Sequence, residues 1–103
     1  MKQKLIQKKF LHGTQVFELG DEFVNVKINS RLHGDKELDI ELAMINPEPV
    51  YSRARLEFHS RVKCRPLISL YRDKPNAKEF NAFVEAIKEK ARMQYEAFAG
   101  LKV

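Results

Sequence analysis

Residues 67–87 read "LISLYRDKPNAKEFNAFVEAI", and the spacing of the apolar residues changes within this stretch. Ile68 and Leu70 stand two positions apart, which is typical of a β-strand with one buried face. From Phe80 onward the apolar residues recur at intervals of three and four, which gives a helix one apolar stripe. The stretch therefore marks the point at which a β-rich region is followed by a single helix.

The predicted helix has signals at both ends. Pro75 stands at its entrance, and Asn76 precedes Glu79 by three residues, which is the spacing of a capping box. Gly100 is a typical stop residue. We expect a helix over residues 76–99, about 35 Å long, whose last turns extend beyond the rest of the domain. The stripe expected to face the core consists of Phe80, Phe83, Val84, Ile87 and Ala91.

The region before the helix, residues 3–72, is predicted to form strands separated by turns. Turn-forming residues recur every 8 to 14 positions, which is typical of a small sandwich or barrel. The predicted turns are "HGT" (12–14), "GD" (20–21), "HGD" (33–35) and "NPEP" (46–49). Because the connections are short, we expect neighbouring strands to be antiparallel.

Alternation between apolar and polar residues supports this interpretation. The segment "ELDIEL" (37–42) places Leu38, Ile40 and Leu42 on one face and its acids on the other. The segment "FVNVKI" (23–28) follows the same rule. The first segment alternates poorly, but with it the pattern predicts six strands.

The size and composition of the chain indicate one globular domain. With 103 residues, 44% hydrophobic and 32% charged, the chain is expected to form a single domain over residues 1–103. No window is apolar enough to cross a bilayer, and the basic start lacks the apolar run of a signal peptide. The single cysteine, Cys64, cannot form an internal disulfide. We expect a cytoplasmic protein.

The order of several antiparallel strands followed by one amphipathic C-terminal helix resembles a pleckstrin-homology-like (PH-like) barrel, in particular the short bacterial domains of this type. The stretches that carry the resemblance are "GTQVFELGDEFVNVKI" (13–28), "KELDIELAMINPEP" (36–49) and residues 67–87. In that superfamily two nearly orthogonal sheets form the barrel, and the helix plugs one open end. The resemblance implies a mostly β, α+β fold: a small antiparallel barrel of six to seven strands capped by one long C-terminal helix.

The chain departs from the family's phosphoinositide-binding pattern. That pattern places basic residues across the first hairpin, ending in a basic-x-Arg pair. Here the second strand of that hairpin, "TQVFEL" (14–19), has no basic residue, and the pair Lys63-x-Arg65 stands in another hairpin.

The net charge of +5 is concentrated in patches, which permits attraction to nucleic acid or anionic membrane. A basic hairpin is the strongest candidate for a site that binds an anion or a protein partner, because guanidinium groups hold phosphates and carboxylates well. Its five candidate residues are Arg53, Arg55, Arg61, Lys63 and Arg65. The alternative is a solvated face, or pairing of Arg53 and Arg55 with the acids of the 37–42 strand.

The end of the helix is a second candidate surface. Four apolar or aromatic residues stand there, in a region expected to extend past the strands: Met93, Tyr95, Phe98 and Leu101. They are expected either to cover the flank of the barrel or to form a surface for self-association or for a protein partner.

Catalytic and metal signatures are absent from the sequence. The three histidines lie far apart, Cys64 has no visible base partner, and there is no glycine-rich phosphate loop or nucleophile elbow. We therefore expect a non-enzymatic interaction or scaffold module without a cofactor or a small-molecule substrate, whose partner is an unknown protein or a second copy. The alternative is an electrostatic binder of nucleic acid or anionic membrane headgroups through residues 53–65.

Overall fold

The computed structural model describes residues 3–9, 13–30, 34–63 and 65–100. Within them lie seven strands, a short 3₁₀ turn and one α-helix. In chain order the elements are β1 (Gln3–Lys9), β2 (Gly13–Leu19), β3 (Phe23–Ser30), β4 (Gly34–Glu41), the 3₁₀ turn (Leu42–Met44), β5 (Val50–Tyr51), β6 (Arg55–His59), β7 (Pro66–Tyr71) and α1 (Ala77–Gly100). The protein is thus α+β and mostly β, as predicted.

The strands form two antiparallel sheets. The first has the order β1-β2-β3-β4, and the second has the order β5-β6-β7. The two-residue strand β5 carried no alternation signal, which is why the sequence pattern indicated six strands. Among the described strands none pairs with a strand of the other sheet, so the sheets do not close into a barrel through backbone pairing.

The core lies between the inner faces of the two sheets and one stripe of α1. All five stripe residues predicted for the helix are buried, and the ring of Phe83 lies 6.3 Å from that of Phe17 on β2. The second sheet contributes Leu56, Phe58, Ile68 and Leu70 from its inner face. A helix that buries one apolar stripe is stabilised mainly by this tertiary packing.

The entrance of α1 is capped as the sequence predicts. The Oδ1 of Asn76 accepts a hydrogen bond from the backbone N–H of Glu79 at 2.9 Å. The Glu79 carboxylate accepts from the side-chain amide of Asn76 at 3.1 Å, where a standard capping box would use the backbone N–H. Among the described residues, no helix is long and apolar enough to cross a membrane.

Strand β1 buries a polar side chain, Gln7, in a core position. Gln7 is fully buried and lies next to the connection from β7 to α1. Its Nε2 donates to the backbone C=O groups of Tyr71, at 2.8 Å, and Lys74, at 2.9 Å, and its Oε1 accepts from the Tyr71 N–H at 2.9 Å. The poor alternation of this segment is therefore explained by a polar residue in a core position.

Two details of the predicted strand packing are wrong. Leu38 was expected on the buried face of β4, but its side chain is 51% exposed. The alternative prediction paired Arg55 with the acids of β4, but these acids lie in the other sheet. Arg55 instead stands opposite Tyr71 on β7.

Candidate functional site

A groove lies where the last turns of α1 pass the 3₁₀ turn and the β6–β7 turn. It has a volume of about 640 Å³. We call it the end groove. Its apolar lining consists of Phe23, Ala43, Met44, Val62 and Tyr95, and its polar lining consists of Glu22, Glu41, Asn46, Arg61 and Gln94.

The apolar side chains of the end groove are unusually exposed. Val62 is 71% exposed and Tyr95 44%, while Phe23 and Met44 have 43% and 39% of their surface accessible. Single exposed apolar residues are common on protein surfaces, but several around one concavity are characteristic of an interaction site. The lining therefore favours a binding role.

Arg61 fixes the geometry of this groove. Its Nε donates to the backbone C=O of Ala43 in the 3₁₀ turn at 3.1 Å, and its Nη2 donates to the C=O of Ala91 in α1 at 3.4 Å. The guanidinium also lies 3.9 Å from the ring centroid of Tyr95, within cation–π range. One side chain thus connects the β6–β7 turn, the 3₁₀ turn and the helix.

The charges that the end groove presents to a ligand are negative. The Arg61 guanidinium is already directed at two carbonyl groups and an aromatic ring. By contrast, the carboxylates of Glu22 and Glu41 have no hydrogen-bond or ion-pair partner among the described residues. The groove is therefore an apolar surface with an acidic border.

A nearby ion pair attaches α1 to the β2–β3 turn. The Lys90 ammonium group donates to Oδ1 of Asp21 at 2.7 Å. This hydrogen bond, and then the positive charge of Lys90, lower the pKa of the Asp21 carboxyl group. The pair holds the β2–β3 turn, and with it Glu22, beside the helix.

The four residues predicted at the helix end do not form one cluster. Tyr95 lines the end groove, whereas Met93 is 57% exposed and does not. Two positions along a helix correspond to a rotation of about 200°, so these two side chains point in nearly opposite directions. The side chain of Phe98 and the whole of Leu101 lie outside the described residues.

The five cations of the predicted basic hairpin are divided between the two ends of β6. Arg53 and Arg55 stand at its start, whereas Arg61, Lys63 and Arg65 follow its end. The strand between them has five residues and is about 16 Å long. The five cations therefore do not form one continuous basic surface: Arg61 lines the end groove, whereas Arg53 lines a different pocket.

The group at the start of β6 is joined by two basic residues that the sequence analysis missed. A pocket of about 500 Å³ is lined by Arg53, Arg72 and Lys74 together with Ala54, Tyr71 and Asp73. We call it the basic pocket. Arg72 was expected at the end of the last strand and Lys74 just before the helix, and nothing in the local sequence indicated that they meet the β5–β6 turn.

Metal-ligating residues do not gather in the described part of the chain. No group of three His, Cys, Asp or Glu residues there is placed to hold a metal ion. His59 lies 3.3 Å from the carboxylate of Glu57, its neighbour on the same strand face. His12, His33 and Cys64 lie outside the described residues.

Comparisons of the chain with protein-family models, with curated proteins and with solved structures found no match.

Proposed function

We propose that the chain is a non-enzymatic, PH-like interaction module of the cytoplasm, which binds a segment of a protein partner in the end groove. The PH-like part of the proposal is supported by the element order. Four antiparallel strands, then three more, then one C-terminal helix agree with the seven strands and two sheets that the resemblance implies. A fold by itself carries no function, so the binding role is argued from the groove.

The observation that carries the proposal is the exposed apolar lining of the end groove on a rigid support. Phe23, Val62 and Tyr95 are accessible to a ligand, while Arg61 ties the surrounding backbone segments together. A preformed apolar groove binds a partner side chain without first having to become ordered, which favours affinity.

Charge identifies the kind of segment that fits. Glu22 and Glu41 border the groove without a described partner, and Arg61 directs its donors to the protein's own carbonyl groups. An acidic partner would meet uncompensated like charge, whereas lysine or arginine side chains would be attracted. The expected occupant is a protein segment with one large apolar anchor residue flanked by basic residues.

The experiment is selection of a random peptide display library on the intact chain, followed by affinity measurement with fluorescein-labelled peptides. We expect the selected peptides to share an aromatic or large aliphatic residue beside lysine or arginine. The double change Phe23→Ser/Tyr95→Ser removes two anchor contacts and should weaken binding by at least about tenfold. The change Glu22→Gln/Glu41→Gln should weaken it mainly at low salt.

The matched control is Tyr51→Ser. Tyr51 is 55% exposed and lies under an arginine, Arg72, at 5.3 Å, but it is outside the end groove. Peptide binding that is unchanged by Phe23→Ser/Tyr95→Ser, or that falls equally with Tyr51→Ser, contradicts the proposal. Sedimentation of the peptide-free protein tests the other occupant: a dimer that dissociates with Phe23→Ser/Tyr95→Ser assigns the groove to a second copy.

A further inference from the structure

We infer that the basic pocket is a binding site for a phosphate monoester group, separate from the end groove and independent of the function proposed for it. The pocket lies between the β5–β6 turn and the connection from β7 to α1. It brings three cations, Arg53, Arg72 and Lys74, around one concavity with a single carboxylate, Asp73. The inference rests on how these cations are held and on which of them remain available.

Arg72 is held in position by the turn that it faces. Its backbone N–H donates to the C=O of Ala54 at 3.0 Å, and its Nη1 donates to the C=O of Ser52 at 2.9 Å. Its guanidinium also lies 5.3 Å from the ring centroid of Tyr51. These contacts use part of the guanidinium fork and leave its other N–H groups for a ligand. Arg72 is therefore a positioned donor.

Arg53 and Lys74 supply the available charge. Both side chains are exposed, and neither has a hydrogen-bond or ion-pair partner among the described residues. The Lys74 backbone is nevertheless fixed, because its C=O accepts from the buried Gln7. Like charges placed this close repel one another, and an anion between them relieves the repulsion.

Arg55, the first residue of β6, adds a further positive charge near the basic pocket. Its Nη1 donates to the Ser69 hydroxyl at 3.0 Å, and its guanidinium lies 5.0 Å from the ring centroid of Tyr71. It does not line the pocket, so it contributes by its field rather than by contact. The site thus differs from the predicted basic hairpin: it keeps Arg53, adds Arg72 and Lys74, and leaves out Arg61, Lys63 and Arg65.

The number of donors and the charge of the site favour a phosphate monoester over a carboxylate. A phosphate monoester carries between one and two negative charges near neutral pH and presents three acceptor oxygens. It can accept from an arginine fork and a lysine ammonium group together, whereas a carboxylate offers two oxygens and one charge. The phosphate group could be supplied by a lipid headgroup or by a soluble phosphorylated molecule, and the chemistry of recognition is the same.

The experiment is an NMR titration of the ¹⁵N-labelled chain with inorganic phosphate, against sodium chloride at matched ionic strength. We expect saturable shifts centred on the amides of residues 53–54 and 72–74. Arg53→Gln/Lys74→Gln should weaken phosphate binding by at least about tenfold, because the phosphate loses one charge-assisted hydrogen bond for each cation that is removed. Both residues are exposed, so we expect the variant to retain the fold. The NMR spectrum of the variant checks this directly.

The matched control is Lys63→Gln/Arg65→Gln, which removes the same charge at the other end of β6 and should leave phosphate binding within about twofold of the wild type. Asp73→Asn should strengthen binding by about two- to threefold, because it removes a like charge while asparagine tolerates the positive φ of 60° at this position. Absence of saturable shifts, or equal weakening by the two double changes, overturns the inference.

Vesicles distinguish the two sources of the phosphate group. Sedimentation with phosphatidylcholine vesicles, with and without phosphatidic acid, is compared for the wild type and Arg53→Gln/Lys74→Gln. Co-sedimentation that requires both phosphatidic acid and the intact pocket assigns a lipid source. Saturable phosphate binding without co-sedimentation assigns a soluble phosphorylated ligand.

Discussion

The side-chain amide of Gln7 hydrogen-bonds both the N–H and the C=O of Tyr71. The two distances are 2.9 Å and 2.8 Å, and the residues are separated by 64 positions in the sequence. Gln7 lies on β1 at the edge of the first sheet, and Tyr71 ends β7 at the edge of the second. The Gln7 side chain thus connects the β1 edge of one sheet to the β7 edge of the other, although these two strands do not pair.

Replacing Gln7 with leucine should destabilise the protein by about 3 kcal/mol, because buried backbone groups lose hydrogen bonds that water cannot replace. Urea unfolding, followed by circular dichroism, measures the free energy of unfolding. The control is Gln15→Leu, which removes one 3.4 Å bond to the Gln7 Oε1 and should cost less than about 1 kcal/mol. Equal costs for the two changes would show that the Gln7–Tyr71 bonds contribute little.

Gly13 and Gly34 have positive φ angles of 89° and 77°, but only one of them is crowded. A Cβ on Gly13 would lie 1.9 Å from the backbone oxygen of Asn29, whereas nothing lies within 4 Å of a Cβ on Gly34. Gly34→Ala should therefore cost about 1–2 kcal/mol from backbone strain alone. Gly13→Ala should cost clearly more, because β2 and β3 must also separate locally.

Thermal unfolding of the two glycine variants separates these contributions. A loss of stability that is the same for Gly13→Ala and Gly34→Ala would mean that the close approach of β2 to β3 is relieved by a small backbone shift. Amide hydrogen exchange at the β2–β3 pairs should then be unchanged as well, since those pairs include Thr14 opposite Asn29.

The cap of α1 should contribute measurably to stability. Asn76→Ala removes the acceptor for the Glu79 N–H and should lower the free energy of unfolding by about 1 kcal/mol. Asn81 is also an exposed asparagine, but it stands inside α1, where alanine is the better helix former. Asn81→Ala should therefore be neutral or slightly stabilising in the same urea titration, and a loss with both variants would contradict the capping role.

The Asp21–Lys90 pair should make stability depend on pH in the acidic range. Because Lys90 lowers the pKa of Asp21 in the folded state, the unfolded chain binds more protons over the interval between the unfolded and folded pKa values. The contribution of the pair is complete above about pH 4 and is lost as the pH falls through the folded pKa.

Urea unfolding measured at a series of acidic pH values tests this sign. Asp21→Asn and Lys90→Gln each remove the 2.7 Å contact, and each should remove the same part of the pH dependence below about pH 4. Variants that lose stability in parallel with the wild type as the pH falls would show that the pair is too well solvated to matter.

Local signals account for the parts of the fold that the sequence predicted well. The helix has a proline, a cap and an apolar stripe within one continuous segment, so its bounds could be read without tertiary information. Gln7 could not be predicted as a core residue, because its hydrogen-bond partners are Tyr71 and Lys74, far along the chain. Leu38 alternates like a buried residue but is 51% exposed, because alternation shows which face of a strand a residue occupies and not whether another element covers that face.

The candidate sites were predictable only in part, for the same reason. Arg61 and Tyr95 were both predicted, but as members of two different surfaces, and only the packing of α1 on the 3₁₀ turn places them 3.9 Å apart. Arg72 and Lys74 were missed because they meet Arg53 through a contact between two separate turns. Sequence patterns identify residue types and faces, whereas the convergence of distant segments is a tertiary property.

The position of β4 also has a consequence for how the protein behaves at high concentration. An exposed edge strand invites a second copy to extend the sheet. In a symmetric antiparallel pairing of two β4 strands, residues that stand opposite one another point to the same face of the sheet. Odd-numbered residues of one copy therefore stand opposite odd-numbered residues of the other. The outer positions of β4 are occupied by Asp35, Glu37, Asp39 and Glu41. Such a pairing would place carboxylate against carboxylate on one face of the strand, and the repulsion between them disfavours extension of the sheet at this edge.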